Sequence, residues 1–153
     1  MEYKIKLAYH NMEEIKELFQ EYTKSLGFDL QFQNYEQEYK NLPGKYNVPK
    51  GRLYLLECNN QPAGCIALKP FQKDICEIKR LYIKEEYRGY RFGEKLMKKV
   101  IQDAQEIGYH QIYLDTLDFM KSAIHVYQKL GFQEISAYYY NPIKGAMYFS
   151  LNI

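Results

Sequence analysis

The chain has 153 residues, with 21 Lys and Arg against 19 Asp and Glu and a formal net charge of +2. That length suits one domain with a proper hydrophobic core. So even a balance argues against a dedicated nucleic-acid binder, whose phosphate contacts demand a strong basic bias. Three cysteines (Cys58, Cys65, Cys76) form no CxxC pair, and three histidines show no ligand spacing near them. A disulfide framework and a structural zinc are therefore not expected, no metal is implied, and a reducing compartment, the cytoplasm, is. MEYKIKLAYH (1–10) holds no apolar run of signal-peptide length, and no segment is long and apolar enough to span a bilayer, so no membrane partner is expected.

In chain order, YKIKLA (3–8) alternates like a strand. Asn11 then reads as a helix cap, with Glu13 and Glu14 in the first turn where the macrodipole favours acids. Met12, Ile15, Leu18, Phe19, Tyr22 and Leu26 recur at helical spacing until Gly27 stops the run. Residues 30–41 read as a second, more polar helix before Leu42-Pro43-Gly44. RLYLLEC (52–58) and GCIALKP (64–70) flank an Asn-Asn-Gln-Pro turn (59–62) and predict a hairpin. DICEIKRLYI (74–83) is a third strand of this series. From Phe92, the residues Leu96, Val100, Ile101, Ala104 and Ile107 trace an amphipathic helix ended by Gly108. QIYLDT (111–116) is a strand, 120–130 a helix, and FQEISAYYY (132–140) and GAMYFSLNI (145–153) are closing strands around Asn141-Pro142. The order predicts a mixed α/β domain over 1–153 with antiparallel hairpins, not a doubly wound parallel sheet. Seventeen tyrosines without a tryptophan suit half-buried strands, and tyrosine hydroxyls can also line a polar cavity.

One junction carries chemistry. In YRGYRFGEKL (87–96) a strand ends, turns through Gly89 and Gly93, and opens a helix beside Arg88 and Arg91. Unpaired N–H groups at a helix start form an anion cradle, glycine lets the anion approach, and arginine adds bidentate bonds. A pyrophosphate suits such a place. There is no GxxxxGK[ST] and no GxGxxG behind an N-terminal strand, so neither a P-loop nor a dinucleotide fold is supported.

EIKRLYIKEEYRGYRFGEKL (77–96) and AIHVYQKLGF (123–132) together resemble the two conserved blocks of the GNAT superfamily of N-acetyltransferases. The first holds the family's Arg/Gln-x-x-Gly-x-Gly/Ala signature, and the resemblance runs over nearly the whole chain. It implies a mostly antiparallel mixed sheet of about 6–7 strands flanked by about 4 helices. It also implies acetyl-CoA as co-substrate and direct acetyl transfer to an amine of a small molecule, amino acid or peptide. Cofactor contacts carry over to the strand backbone at Leu81, Tyr82 and Ile83, and to Arg88, Gly89, Tyr90, Arg91, Phe92, Gly93 and Glu94 around the phosphates. Tyr127 matches the family's general acid beside the CoA sulfur. Glu77 matches a glutamate that serves as base in a number of members; an ion pair to Lys79 or Arg80 is the equal alternative. Asp115 reads as structural, and His125 as a surface or packing residue. Arg91 replaces the family's middle glycine. Ordinary helical backbone is expected there, because a left-handed arginine would cost about 1–2 kcal/mol. Met120 stands where an asparagine often begins the second block. A non-catalytic acyl-CoA sensor is the alternative function, and a homodimer through an exposed sheet edge is compatible with either.

Overall fold

The computed structural model describes residues 1–27 and 34–153, and its elements follow the predicted order. Strand β1 (Tyr3–Leu7) is followed by helix α1 (Met12–Leu26) and the short helix α2 (Tyr35–Lys40). Gly27 ends α1 in the left-handed conformation, with φ 74°, as a glycine cap should. Asn11 precedes α1, but its side chain makes no capping bond. The part of the predicted 30–41 helix that falls on residues 28–33 lies outside the described residues.

Strands β2 (Arg52–Cys58), β3 (Gln61–Gln72) and β4 (Ile75–Ile83) form an antiparallel meander. The turn from β2 to β3 is made by Asn59 and Asn60, both at positive φ, so β3 starts at Gln61 rather than beyond Pro62. Helix α3 (Phe92–Ile107), strand β5 (Gln111–Leu117), helix α4 (Lys121–Lys129) and strands β6 (Gln133–Ile135) and β7 (Ala146–Asn152) complete the chain. One seven-stranded sheet results, in the order β1-β2-β3-β4-β5-β7-β6, and only β4 with β5 is parallel. No helix among the described residues is long and apolar enough to cross a membrane.

The sheet is buried on both faces, which is why RLYLLEC is apolar almost throughout. Leu53 and Leu55 pack with Ile15, Leu18, Phe19 and Tyr46 on the α1 face. Tyr54 and Leu56 turn the other way, toward Leu96, Met97 and Val100 of α3. The face that receives α1 carries the second cavity described below, and the α3 side carries the glycine-rich turn.

Two irregularities shape the site. Strands β4 and β5 pair only at Ile75↔Gln111, Cys76↔Ile112 and Glu77↔Tyr113, although β4 runs on to Ile83 and β5 to Leu117. Beyond Glu77 the two strands part. On its other side β4 bulges: Lys79 faces Ala67 and Tyr82 faces Cys65, so three steps on β4 match two on β3. Arg80, at φ 60°, absorbs the extra residue. Gly64 is required opposite this bulge, since a Cβ there would lie 2.6 Å from the Tyr82 carbonyl oxygen.

The predicted strand 132–140 is shorter than expected, ending at Ile135. The Tyr138 hydroxyl reaches Glu77 and the Tyr139 hydroxyl reaches Asp115, while the Tyr148 hydroxyl donates to the Tyr139 carbonyl at 3.1 Å. These bonds draw 138–139 over the sheet face instead of along its edge.

Candidate active site

The parting of β4 and β5 opens a cavity lined by residues 78–81 on one side, 114–117 on the other, and Tyr22, Leu26, Met120, Tyr127 and Asn141. Backbone N–H and C=O groups of β4 on this side have no strand to pair with. Leu81 lines the cavity. Tyr82 and Ile83 continue β4, paired with Cys65 and Gly64, and the Tyr82 ring turns to Tyr22 of α1 at 6.1 Å between centroids.

Tyr127 lies on the same cavity. The α4 periodicity brings it inward, where its ring meets Phe132 and Phe149 at 6.0 and 6.2 Å. Only 7% of the residue is exposed. Its hydroxyl makes no hydrogen bond to a described residue. Burial raises its pKa, reinforced by Tyr22 and Asp115, so the phenol keeps its proton at neutral pH and can only donate it. His125, on the same helix, is exposed.

Below the end of β4, a 3₁₀ turn (Glu85–Tyr87) leads into the glycine-rich junction. Six successive N–H groups, those of residues 89–94, have no acceptor among the described residues. Gly89 stands at φ 89°, and Arg91 at φ 62° and ψ 26°. Arg91 is therefore left-handed, not helical as expected from its side chain. The turn dictates it: α3 can start at Phe92 only if the preceding residue reverses the chain. Consecutive amides around such residues make a concave anion nest at a helix N-terminus. Phe92 is buried against Tyr3 and Tyr90, with centroids 5.2 and 5.8 Å apart, and anchors the turn. The Arg88 guanidinium donates to the Ile83 carbonyl at 2.9 Å and ties the turn to β4. Gly93 leaves its surroundings open, with nothing within 4 Å of where a Cβ would stand. Glu94 turns its side chain away, pairing with Lys129 at 2.8 Å and Lys98 at 3.3 Å, and leaves its N–H to the nest.

Replacing Arg91 by glycine should remove the left-handed penalty and stabilise the fold by about 1 kcal/mol. If the guanidinium also meets phosphate, the same change weakens CoA binding about tenfold. Chemical denaturation and CoA titration measure the two effects separately.

On the α1 face a second cavity shares Lys79 and Arg80 with the first. Its wall also includes Asn34, Glu38, Lys69, Phe71, Glu77 and Tyr139. Glu77, 2% exposed, meets Lys79 at 3.3 Å and Lys69 at 3.6 Å and accepts the Tyr138 hydroxyl bond. The ion pair to Lys79 is thus present, and Glu77 is still part of the cavity wall. Lys79 bridges from Glu77 to Asp115, 3.0 Å away. Burial opposes its charge, but Asp115 and Glu77 outweigh that and raise its pKa. Burial likewise opposes the Asp115 charge, and the Lys79 ammonium with the Tyr139 and Lys79 hydrogen bonds outweighs it, holding the carboxyl below its usual range. Arg80 is locked by Glu38 through contacts of 2.9 and 3.2 Å.

The Lys79–Asp115 pair and the walls made by Tyr22 and Leu26 were not legible as site residues. Asp115 resembles any polar strand end until β4 is laid beside it. Cys76, close to the split, is buried, and burial pushes its thiol up to about 12, which leaves it inert.

The chain is similar to known proteins in sequence and fold. The model of the acetyltransferase (GNAT) family matches residues 12–132. An uncharacterised N-acetyltransferase of Schizosaccharomyces pombe is 38% identical over 145 residues, 94% of this chain and 89% of that one. A GNAT-family acetyltransferase from Staphylococcus aureus superposes with a TM-score of 0.81, covering 99% of both chains at 24% identity, which shows the fold. A GNAT acetyltransferase from Elizabethkingia anophelis, solved with acetyl-CoA bound, is 26% identical with a TM-score of 0.59 over 68% of this chain and 77% of that one. Sequence and fold answer alike: this chain belongs to the GNAT family and is an acyl-CoA-dependent acetyltransferase.

Proposed function

We propose that the protein moves an acetyl group from acetyl-CoA to the amine of a small molecule, amino acid or peptide by direct attack. The observation that carries this reading is that Tyr127 and the unpaired edge of β4 share one cavity, opened where β4 leaves β5.

The residues fit the co-substrate. Six amides without acceptors at 89–94, with Arg88 and Arg91, would hold its pyrophosphate, and the free edge of β4 from Ile78 to Ile83 would hydrogen-bond its extended arm. When bound, acetyl-CoA supplies an activated acyl carbon and a thiolate leaving group. The Tyr127 hydroxyl would donate its proton to the departing thiolate sulfur. Unpaired β4 amides would supply the donors that stabilise the developing charge on the acyl oxygen. On the acceptor side the amine must lose a proton. A lysine-like amine, with pKa about 10.4, is neutral at pH 7 only about once in a thousand. Glu77, in the wall of the second cavity, is the carboxylate proposed to take that proton, directly or through water. Lys79 and Arg80, buried between the two cavities, favour the uncharged amine electrostatically. Three buried, free cysteines agree with a reducing, cytoplasmic setting.

Acetyl-CoA at a hundredfold excess over its dissociation constant should add about 2.7 kcal/mol to stability, while ATP and NAD should add little. Thermal unfolding with each ligand is the measurement. Stabilisation by ATP or NAD without stabilisation by acetyl-CoA overturns the reading.

A further inference from the structure

The acceptor-side wall is a row of alternating charges: Lys69, Glu77, Lys79 and Asp115, with Arg80 and Glu38 alongside. Each carboxylate in the row is already engaged. Glu38 takes Arg80 and the Tyr46 hydroxyl; Asp115 takes Lys79, Tyr139 and Asn141; Glu77 takes Lys79 and Tyr138 at short range. An acceptor that brings only positive charge meets no carboxylate here that lacks a partner.

Lys69 is the exception among the cations. It lies on β3 directly opposite Glu77 in the ladder, yet among the described residues its ammonium has one ion-pair contact, 3.6 Å to Glu77, at the long end for such a pair. The nearer claims on that carboxylate belong to Lys79 and Tyr138. Its side chain is three-quarters buried and lines the second cavity. Burial lowers its pKa further than Glu77 restores it, as for a cation with too little counter-charge. Beside it the rings of Phe71, Tyr113 and Tyr138 lie 4.7–5.6 Å apart and form an apolar floor.

We propose that Lys69 receives a carboxylate of the acceptor, so that the favoured acceptors are amines that also carry a carboxylate, of the amino-acid type, and not polyamines or simple amines. The proposal rests on the acetyltransfer reading above and assigns its substrate class. The acceptor's carboxylate supplies the charge that Lys69 lacks, its body lies on the aromatic floor, and its nitrogen points past Lys79 and Arg80 into the cavity of Tyr127.

The test is thiol release from acetyl-CoA with matched sets: phenylalanine, phenylalaninamide and phenethylamine, then lysine and cadaverine. Wild type should favour each acid over its amide or decarboxylated partner by about tenfold or more in kcat/KM. Lys69→Met, which keeps the stem, should remove that preference by raising KM for the acids about 10–100-fold more than for the carboxylate-free amines; Lys69→Arg should restore most of it. Equal use of acids and decarboxylated amines by wild type overturns the proposal, and needs no variant. So does a Lys69→Met loss that falls equally on both kinds of acceptor. If no member of the panel turns over, thermal shifts of the CoA-bound protein decide: no stabilisation by the acids beyond their amides also overturns it. Stabilisation by acetyl-CoA alone reports on the acetyltransfer reading separately, so failure of one is distinguishable from failure of the other.

Discussion

Tyr127→Phe should lower kcat about a hundredfold or more at neutral pH while leaving acetyl-CoA affinity and Tm close to wild type. The substitution is clean because of how Tyr127 is held. Its ring is fixed by Phe132 and Phe149, contacts that phenylalanine keeps. Its hydroxyl bonds to no described residue, so removing it strands no partner. What disappears is a proton donor on the cavity that burial holds in its protonated form. Because the phenol titrates far above neutrality, its loss should leave the pH–rate profile unchanged between about pH 6 and 9. Steady-state thiol release with the best acceptor, beside a CoA titration, reads both effects. An unchanged kcat would reduce Tyr127 to a packing residue of α4.

Lys79→Met should destabilise the protein by about 3–5 kcal/mol, because it leaves Glu77 and Asp115 buried without the cation between them. For a chain of this size that is roughly 10 °C or more in Tm. The effect should depend on pH with a definite sign. In wild type, Asp115 has a depressed pKa, so its contribution is present above the unfolded value of about 3.9 and is lost as pH falls through the folded one. Lys79 has a raised pKa, so its contribution is present below about 10.4 and is lost as pH rises through the folded value. The pair thus supports the fold across a plateau of roughly pH 5–10 and weakens on either side. In the variant, burial acts on Asp115 without the Lys79 ammonium to offset it and favours protonation of that carboxyl. The gap between variant and wild type should therefore narrow from pH 7 toward pH 4. Urea unfolding at both values measures it, and a gap that stays constant or widens would show that Lys79 acts through packing alone.

The two largest effects thus fall on residues of different legibility. Tyr127 was readable through the second family block, since AIHVYQKLGF places it. Lys79 was readable only as one of several basic neighbours of Glu77, and its role depends on Asp115, 36 residues away.

Local patterns determined most of the architecture. Helices α1 and α3 announce themselves by 3.6-residue periodicity and end at Gly27 and Gly108, both left-handed as caps. Strand β2 is bounded as its apolar run predicts, and the Asn59-Asn60 turn carries its own backbone preference. These are properties of a few adjacent residues, so the sequence alone suffices to specify them. The tertiary structure decided the rest. Whether β4 and β5 stay paired depends on how each twists against its other neighbours, and no residue of 75–83 encodes the parting after Glu77. Arg91 looks like a helical residue and is left-handed because the turn from β4 into α3 requires it. Tyr138 and Tyr139 have strand propensity, yet their hydroxyls go to carboxylates 61 and 24 residues distant in the chain. In each case a long-range contact is worth more than the local preference it overrides, and such contacts exist only once the sheet has formed.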